Sequence, residues 1–156
     1  MRRALLRFIR LSATERTLFF RSAILLPLIA CALRIFGLPK VQAGLERRRK
    51  RADLREGIGA RQDFGNVSTV VRMAGAAARY GLVRGNCLSH SLLLWHLLRQ
   101  EGHEARMRLG GRREGKAFEA HAWVEIDGQV VNGHDDPRDL FTPFEVDVNH
   151  ELTPQK

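Results

Sequence analysis

The stretch RGNCLSHSLLLWHLLRQEG, residues 84–102, sets the fold, and the rest of the chain is read outward from it. Leu88, Leu92, Trp95 and Leu98 fall on one helical stripe, and Leu93, Leu94 and Leu97 widen it until most sides are apolar. A helix apolar nearly all round is a buried one. Gly102 marks its end and Asn86 is a good N-cap, so the helix is expected over 87–100 with Cys87 as its first residue. A helix start presents unpaired N–H groups and the positive end of the macrodipole, which favour an anion. The thiolate is the nucleophilic form of cysteine. A cysteine needed only for packing gains nothing from this position.

On the N-terminal side, NVSTVVRMAGAAARYGL (66–82) repeats apolar residues at i, i+3 and i+4, with Gly81 as its closing residue, and reads as a helix. On the C-terminal side, HEARMRLGG (103–111) alternates Ala105, Met107 and Leu109 with charged residues, as a half-buried strand does. RREGKAFE (112–119) is expected as a polar loop. AHAWVEIDGQVVNG (120–133) is expected as a hairpin turning on Asp127-Gly128, with Ala122, Val124 and Ile126 towards the core and His121, Trp123 and Glu125 on the other face. Residues 134–156 read as an irregular tail with one short strand at FEVDV (144–148). The order is helix, helix, strand, strand, strand. The fold class is α+β, with an antiparallel sheet packed on the buried Cys87 helix.

The N-terminal third differs in character. Residues 1–56 carry 14 Lys/Arg against 4 Asp/Glu, whereas residues 57–156 carry 12 against 13. The basic excess points to an anionic partner, whether an acidic protein or a membrane surface. Nucleic acid ranks last, because no aromatic-interleaved basic signature accompanies the charge. Residues 1–38 are expected to be helical, with a capping box at Ser12 and Glu15. The apolar run 22–33, between Arg21 and Arg34, is shorter than the ~20 residues that span a bilayer. Pro27 is expected to kink the helix. The run comes late for a signal peptide, and no small-residue cleavage site follows it. Docking on a partner or on the domain is favoured over a peripheral membrane contact through residues 1–40. LERRRKRADLRE (45–56) reads as a basic linker or an exposed helix start. The expected organisation is a helical extension and linker over 1–56 and a compact domain over 57–156. Two cysteines, Cys31 and Cys87, are too few for a disulfide framework, so a reducing, cytoplasmic compartment is the default expectation.

A cysteine nucleophile needs a base, usually histidine. His90 and His96 lie on the Cys87 helix itself, where a base has little freedom to serve a substrate, and they read as surface or core residues. His121, opening the hairpin strand, is the better candidate. It can meet Cys87 if its strand packs beside the helix start. No paired ligand spacing for a metal and no phosphate-binding glycine loop is present, so neither a metal nor a nucleotide cofactor is expected.

Cys-Leu-x-x-Ser at the helix start, the Leu/Trp-rich helix, EGHEARMRLGG, and Phe118 ahead of EAHAWVEIDG closely resemble the transglutaminase-like leader peptidases of lasso-peptide biosynthesis, over roughly residues 66–133. LSATERTLFFRSAILL looks like the helical lead-in of the free-standing form of that family. The resemblance implies a papain/transglutaminase-like fold and hydrolysis of a leader from a ribosomally made precursor, with Cys87 as nucleophile and His121 as base. It implies an acidic third residue shortly after the hairpin, where this chain offers VVNGHDD (130–136). Asp135 is favoured, through a bulge at Gly133, ahead of Asn132, with Asp136 a further possibility. The resemblance also implies a separate leader-binding protein, because residues 1–56 are too basic and helical for the fused β-rich leader-binding domain. It implies a lasso cyclase as the next partner. The competing readings are a transglutaminase-like acyl transferase or amidase, and a non-catalytic docking protein with an inert Cys87.

Overall fold

The computed structural model describes residues 11–56, 66–81, 85–115, 117–132 and 136–144. Three helices, α1 (Ala13–Glu56), α2 (Val67–Tyr80) and α3 (Cys87–Gln100), precede strands β1 (Ala105–Glu114), β2 (Ala117–Ile126) and β3 (Gln129–Val130). A 3-10 turn (Pro137–Asp139) and β4 (Thr142–Pro143) follow. The sheet is antiparallel throughout, in the order β3-β2-β1-β4. This is the expected α+β arrangement. The expected division between an extension and a domain at residue 57 lies outside the described residues.

Helix α3 is the middle layer, touching α1 and α2 on one side and β1 and β2 on the other. Ser89 and every residue from Ser91 to Leu98 are buried along it. Its C-terminus closes as a Schellman motif: Gly102 adopts φ +83, its N–H bonds the Arg99 carbonyl, and the His103 N–H bonds the Leu98 carbonyl. Helix α2 lies within the expected stretch 66–82, and the Asn66 side chain caps it by accepting from the Thr69 N–H.

Helix α1 departs from expectation. Its φ/ψ stay helical through Pro27, and the residue that leaves the helical region is Gly37, at φ 73 and ψ 166. That conformation is essentially restricted to glycine. Pro39 then falls in the first turn of the resumed helix, where a missing N–H costs nothing. The basic segment from residue 45 continues this helix to Glu56 rather than forming a linker. The stretch Ala13–Arg51 is long and apolar enough to cross a membrane by length and composition, although its uninterrupted apolar run is short. Leu18, Leu26, Ile29 and Val41 bury one side of it in the same core as Leu92, Leu97, Met107 and Val124. Arg21 donates to Gln100 at 2.7 Å, and Glu46 bridges Arg49 at 2.7 Å and Arg99 of α3 at 3.3 Å.

RREGKAFE is not a loop. β1 and β2 pair over ten positions, from Ala105 opposite Ile126 to Glu114 opposite Ala117, and turn through Gly115 at φ +61. What the polar composition concealed is a cross-strand pair. Arg112 stands opposite Glu119 and binds it at 2.7 Å. The Asp127-Gly128 turn is as expected, both residues having positive φ, which a type I′ turn requires. Its second strand stops after Val130. The tail contributes β4 at 142–143, antiparallel to Gly110 and Gly111, while residues 145–148 of the expected FEVDV strand lie outside the described residues.

Candidate active site

Cys87 occupies the first position of α3, half-exposed, at the end of a helix that is otherwise sealed. Asn86 makes this start. Its side chain accepts from the Ser89 N–H at 2.9 Å, and its carbonyl accepts from the His90 N–H at 3.1 Å. Gly85, just ahead of the cap, passes close to α1. A Cβ on Gly85 would stand 2.8 Å from Ser89 Oγ and 3.0 Å from Leu26 Cδ1, so any side chain there must displace one of these two side chains.

One turn into the helix, Ser91 joins it to the sheet. The fully buried Ser91 hydroxyl donates to the Ala122 carbonyl at 2.8 Å. It accepts from Asn132 Nδ2 at 3.0 Å, and Asn132 Oδ1 accepts from the Val124 N–H at 2.6 Å. Cys87 therefore lies one turn before a residue bonded to the immediate neighbour of His121. This strut was not foreseen as part of the site. The Ser of Cys-Leu-x-x-Ser was the available signal, but its bonding depends on a strand 31 residues away.

His121 lies on the face of β2 that carries Trp123 and Glu125, which the alternation marks as the face away from the helix. That face is covered rather than solvated. Trp123 is 0% exposed and donates to Glu125 at 2.8 Å, and Glu125 also pairs with Arg108 at 3.3 Å. The cover is the tail. Phe141 stacks on the His121 ring at 5.1 Å and 22°, and the Arg112 guanidinium sits over Phe141 at 5.1 Å. Trp123 lies nearly parallel to His121 at 6.4 Å. Gly110, directly opposite His121 in the register, makes the room: a Cβ there would meet the Trp123 ring at 2.8 Å.

The other two helix histidines are held neutral. His96, 5% exposed, has its pKa lowered to about 4 by burial first and then by the charge of Arg21. Burial also lowers the pKa of His90, opposed by the nearby Ala74 carbonyl of α2. His90 thus faces α2, and both read as core residues. Of the residues considered for a third role, Asn132 is engaged in the Ser91 strut. Asp136 caps the 3-10 turn and grips Arg138, which lowers its pKa. Asp135 lies outside the described residues.

A helix headed by a half-exposed cysteine thus packs on an antiparallel hairpin that carries a histidine. A model of the transglutaminase-like superfamily matches residues 25–146, and the chain belongs to that superfamily. It is also similar to the microcin J25-processing protein McjB of Escherichia coli, 27% identical over 82 residues. That match covers 53% of this chain and 35% of McjB, so the chain spans about a third of the length of this relative. No solved structure matches.

Proposed function

We propose that this protein is a cysteine peptidase that removes the leader from a ribosomally made lasso-peptide precursor. The observation that carries the reading is the Ser91–Ala122 bond, which holds a cysteine-headed helix start against the strand of His121. Superfamily membership and the likeness to a microcin-processing protein support the same reading.

In the proposed reaction, His121 takes the Cys87 proton and the sulfur attacks the carbonyl of the leader–core bond. The Cys87 N–H, at the free helix start, stabilises the oxyanion. His121 protonates the departing core amine, leaving the leader as a thioester on Cys87. Water, deprotonated by His121, hydrolyses the thioester and releases the leader acid. Asp135 orients His121 in this scheme. The product carries a free α-amine, which an ATP-dependent cyclase needs for macrolactam formation. A separate leader-binding protein presents the precursor, and the work is cytoplasmic. The division into a helical extension over 1–56 and a peptidase domain over 57–156 belongs to the same proposal.

The test is incubation with a lasso-peptide precursor and its leader-binding protein, read by mass spectrometry. Released leader is expected with the unaltered protein and none with Cys87→Ala or His121→Ala. Leader release by Cys87→Ala would sink the proposal. If an added amine ends up joined to the leader in place of water, the reaction is acyl transfer instead.

A further inference from the structure

Helix α1 has two apolar sides, and among the described residues the domain buries one of them. Leu18, Ser22, Leu26 and Ile29 face the domain and are buried. On the far side Phe20, Ile24, Leu28 and Ile35 are 54%, 62%, 59% and 66% exposed, with exposed Cys31 in line between them. Spacings of three and four place these residues on one stripe, about 22 Å long at 1.5 Å per residue. Continuous exposed apolar surface of this kind marks an interaction site.

The rim says what covers it. Arg16 and Arg34 border the stripe near its two ends and are exposed, as are Lys40, Arg47, Arg48 and Arg51 further along α1. The acidic residues between Ala13 and Arg51 are Glu15 and Glu46. Glu15 pairs with Arg72 of α2 and Glu46 with Arg49 and Arg99, so both are turned to internal partners. The outward charge of the helix is cationic. We infer that this face of α1 lies on an anionic lipid surface, with Phe20, Ile24, Leu28 and Ile35 in the headgroup–acyl boundary and the arginines reaching the phosphates.

A second copy of the chain would bring the same cations face to face. A protein partner would need polar groups placed to fix its register. This stripe offers an unbroken apolar line with cations at its rim, which lipid phosphates satisfy in any register. The helix lies along the surface rather than crossing it, because its inner side is fastened by the buried leucines and by Arg21 on Gln100.

The test is co-sedimentation of the full chain with phosphatidylglycerol vesicles and with phosphatidylcholine vesicles. Binding is expected to the anionic vesicles only. It should be released as salt approaches 1 M, where the Debye length falls to about 3 Å. Arg34→Gln and Lys40→Gln should each lower partitioning about fivefold. Ile24→Ser with Leu28→Ser should abolish it while circular dichroism shows an unchanged fold, since both side chains are already exposed. Four results would overturn the inference: no binding to anionic vesicles at low salt, equal binding to phosphatidylcholine, binding that resists salt, or a lipid-free dimer that the Ile24→Ser/Leu28→Ser variant dissolves. None of these readouts depends on peptidase activity.

Discussion

At the scale of single residues, the proposed chemistry rests on how two side chains are held. Ser91 is a positioning residue. Ser91→Ala strips the Ala122 carbonyl of its donor and Asn132 of its acceptor, both in a buried setting. The expected cost is about 1–3 kcal/mol, read as a lower urea midpoint with an unchanged slope. Phe141→Ala should lower kcat for leader release more than it raises KM, because the stacked ring holds His121 without binding substrate. A KM rise alone would place Phe141 in substrate binding instead. The helix start at Cys87 and the face of β2 that carries His121 were readable from capping and alternation. The burial of Trp123 and Glu125 was not, because alternation along β2 cannot reveal that a tail some 20 residues on will cover the second face.

At the scale of elements, α3 and α1 make separate predictions. His96 is neutral in the fold and ordinary in the unfolded chain, so the unfolded state binds more protons between about pH 6.5 and 4. Stability therefore falls as pH drops through that window, by an amount on the order of 3 kcal/mol from this histidine. Glu46 acts in the same direction. Burial raises its pKa, but Arg49 and Arg99 outweigh burial and leave it below the ordinary value, so the stability it contributes is lost as pH falls. His96→Asn should flatten the dependence of the urea midpoint between pH 6.5 and 5. In α1, Gly37→Ala meets no atom within 4 Å yet must hold φ near +73. The expected loss is about 1–3 kcal/mol of pure backbone strain. The long periodic helices and the Asp127-Gly128 turn were legible because each signal is local. The outer half of the β1–β2 hairpin was not, because Arg112 and Glu119 stabilise it only once they stand opposite one another.

At the scale of the molecule, the core is shared between the N-terminal helix and the domain that follows. Leu26 is 1% exposed and Leu92 0%, in one cluster drawn from α1 and α3. Leu92→Ala should cost about 2–5 kcal/mol. Leu26→Ala should cost a comparable amount, and thermal melts of the two variants would show it. A change at Leu26 of less than about 0.5 kcal/mol would mean that α1 rests on the domain without supporting it. Charge asymmetry announced α1 as a distinct region, but apolar patterning could not say which of its two apolar sides the domain would cover. That is decided by tertiary packing.

The close pass of Gly85 over Leu26 carries an evolutionary consequence. Two positions 59 residues apart in sequence share one small volume just ahead of the Cys87 helix. Their sizes should covary among relatives, with a side chain at position 85 found only where position 26 has shrunk. A double-mutant cycle would show the same linkage in the test tube: Gly85→Ala should do less harm in a Leu26→Ala background, with a coupling of about 0.5–3 kcal/mol.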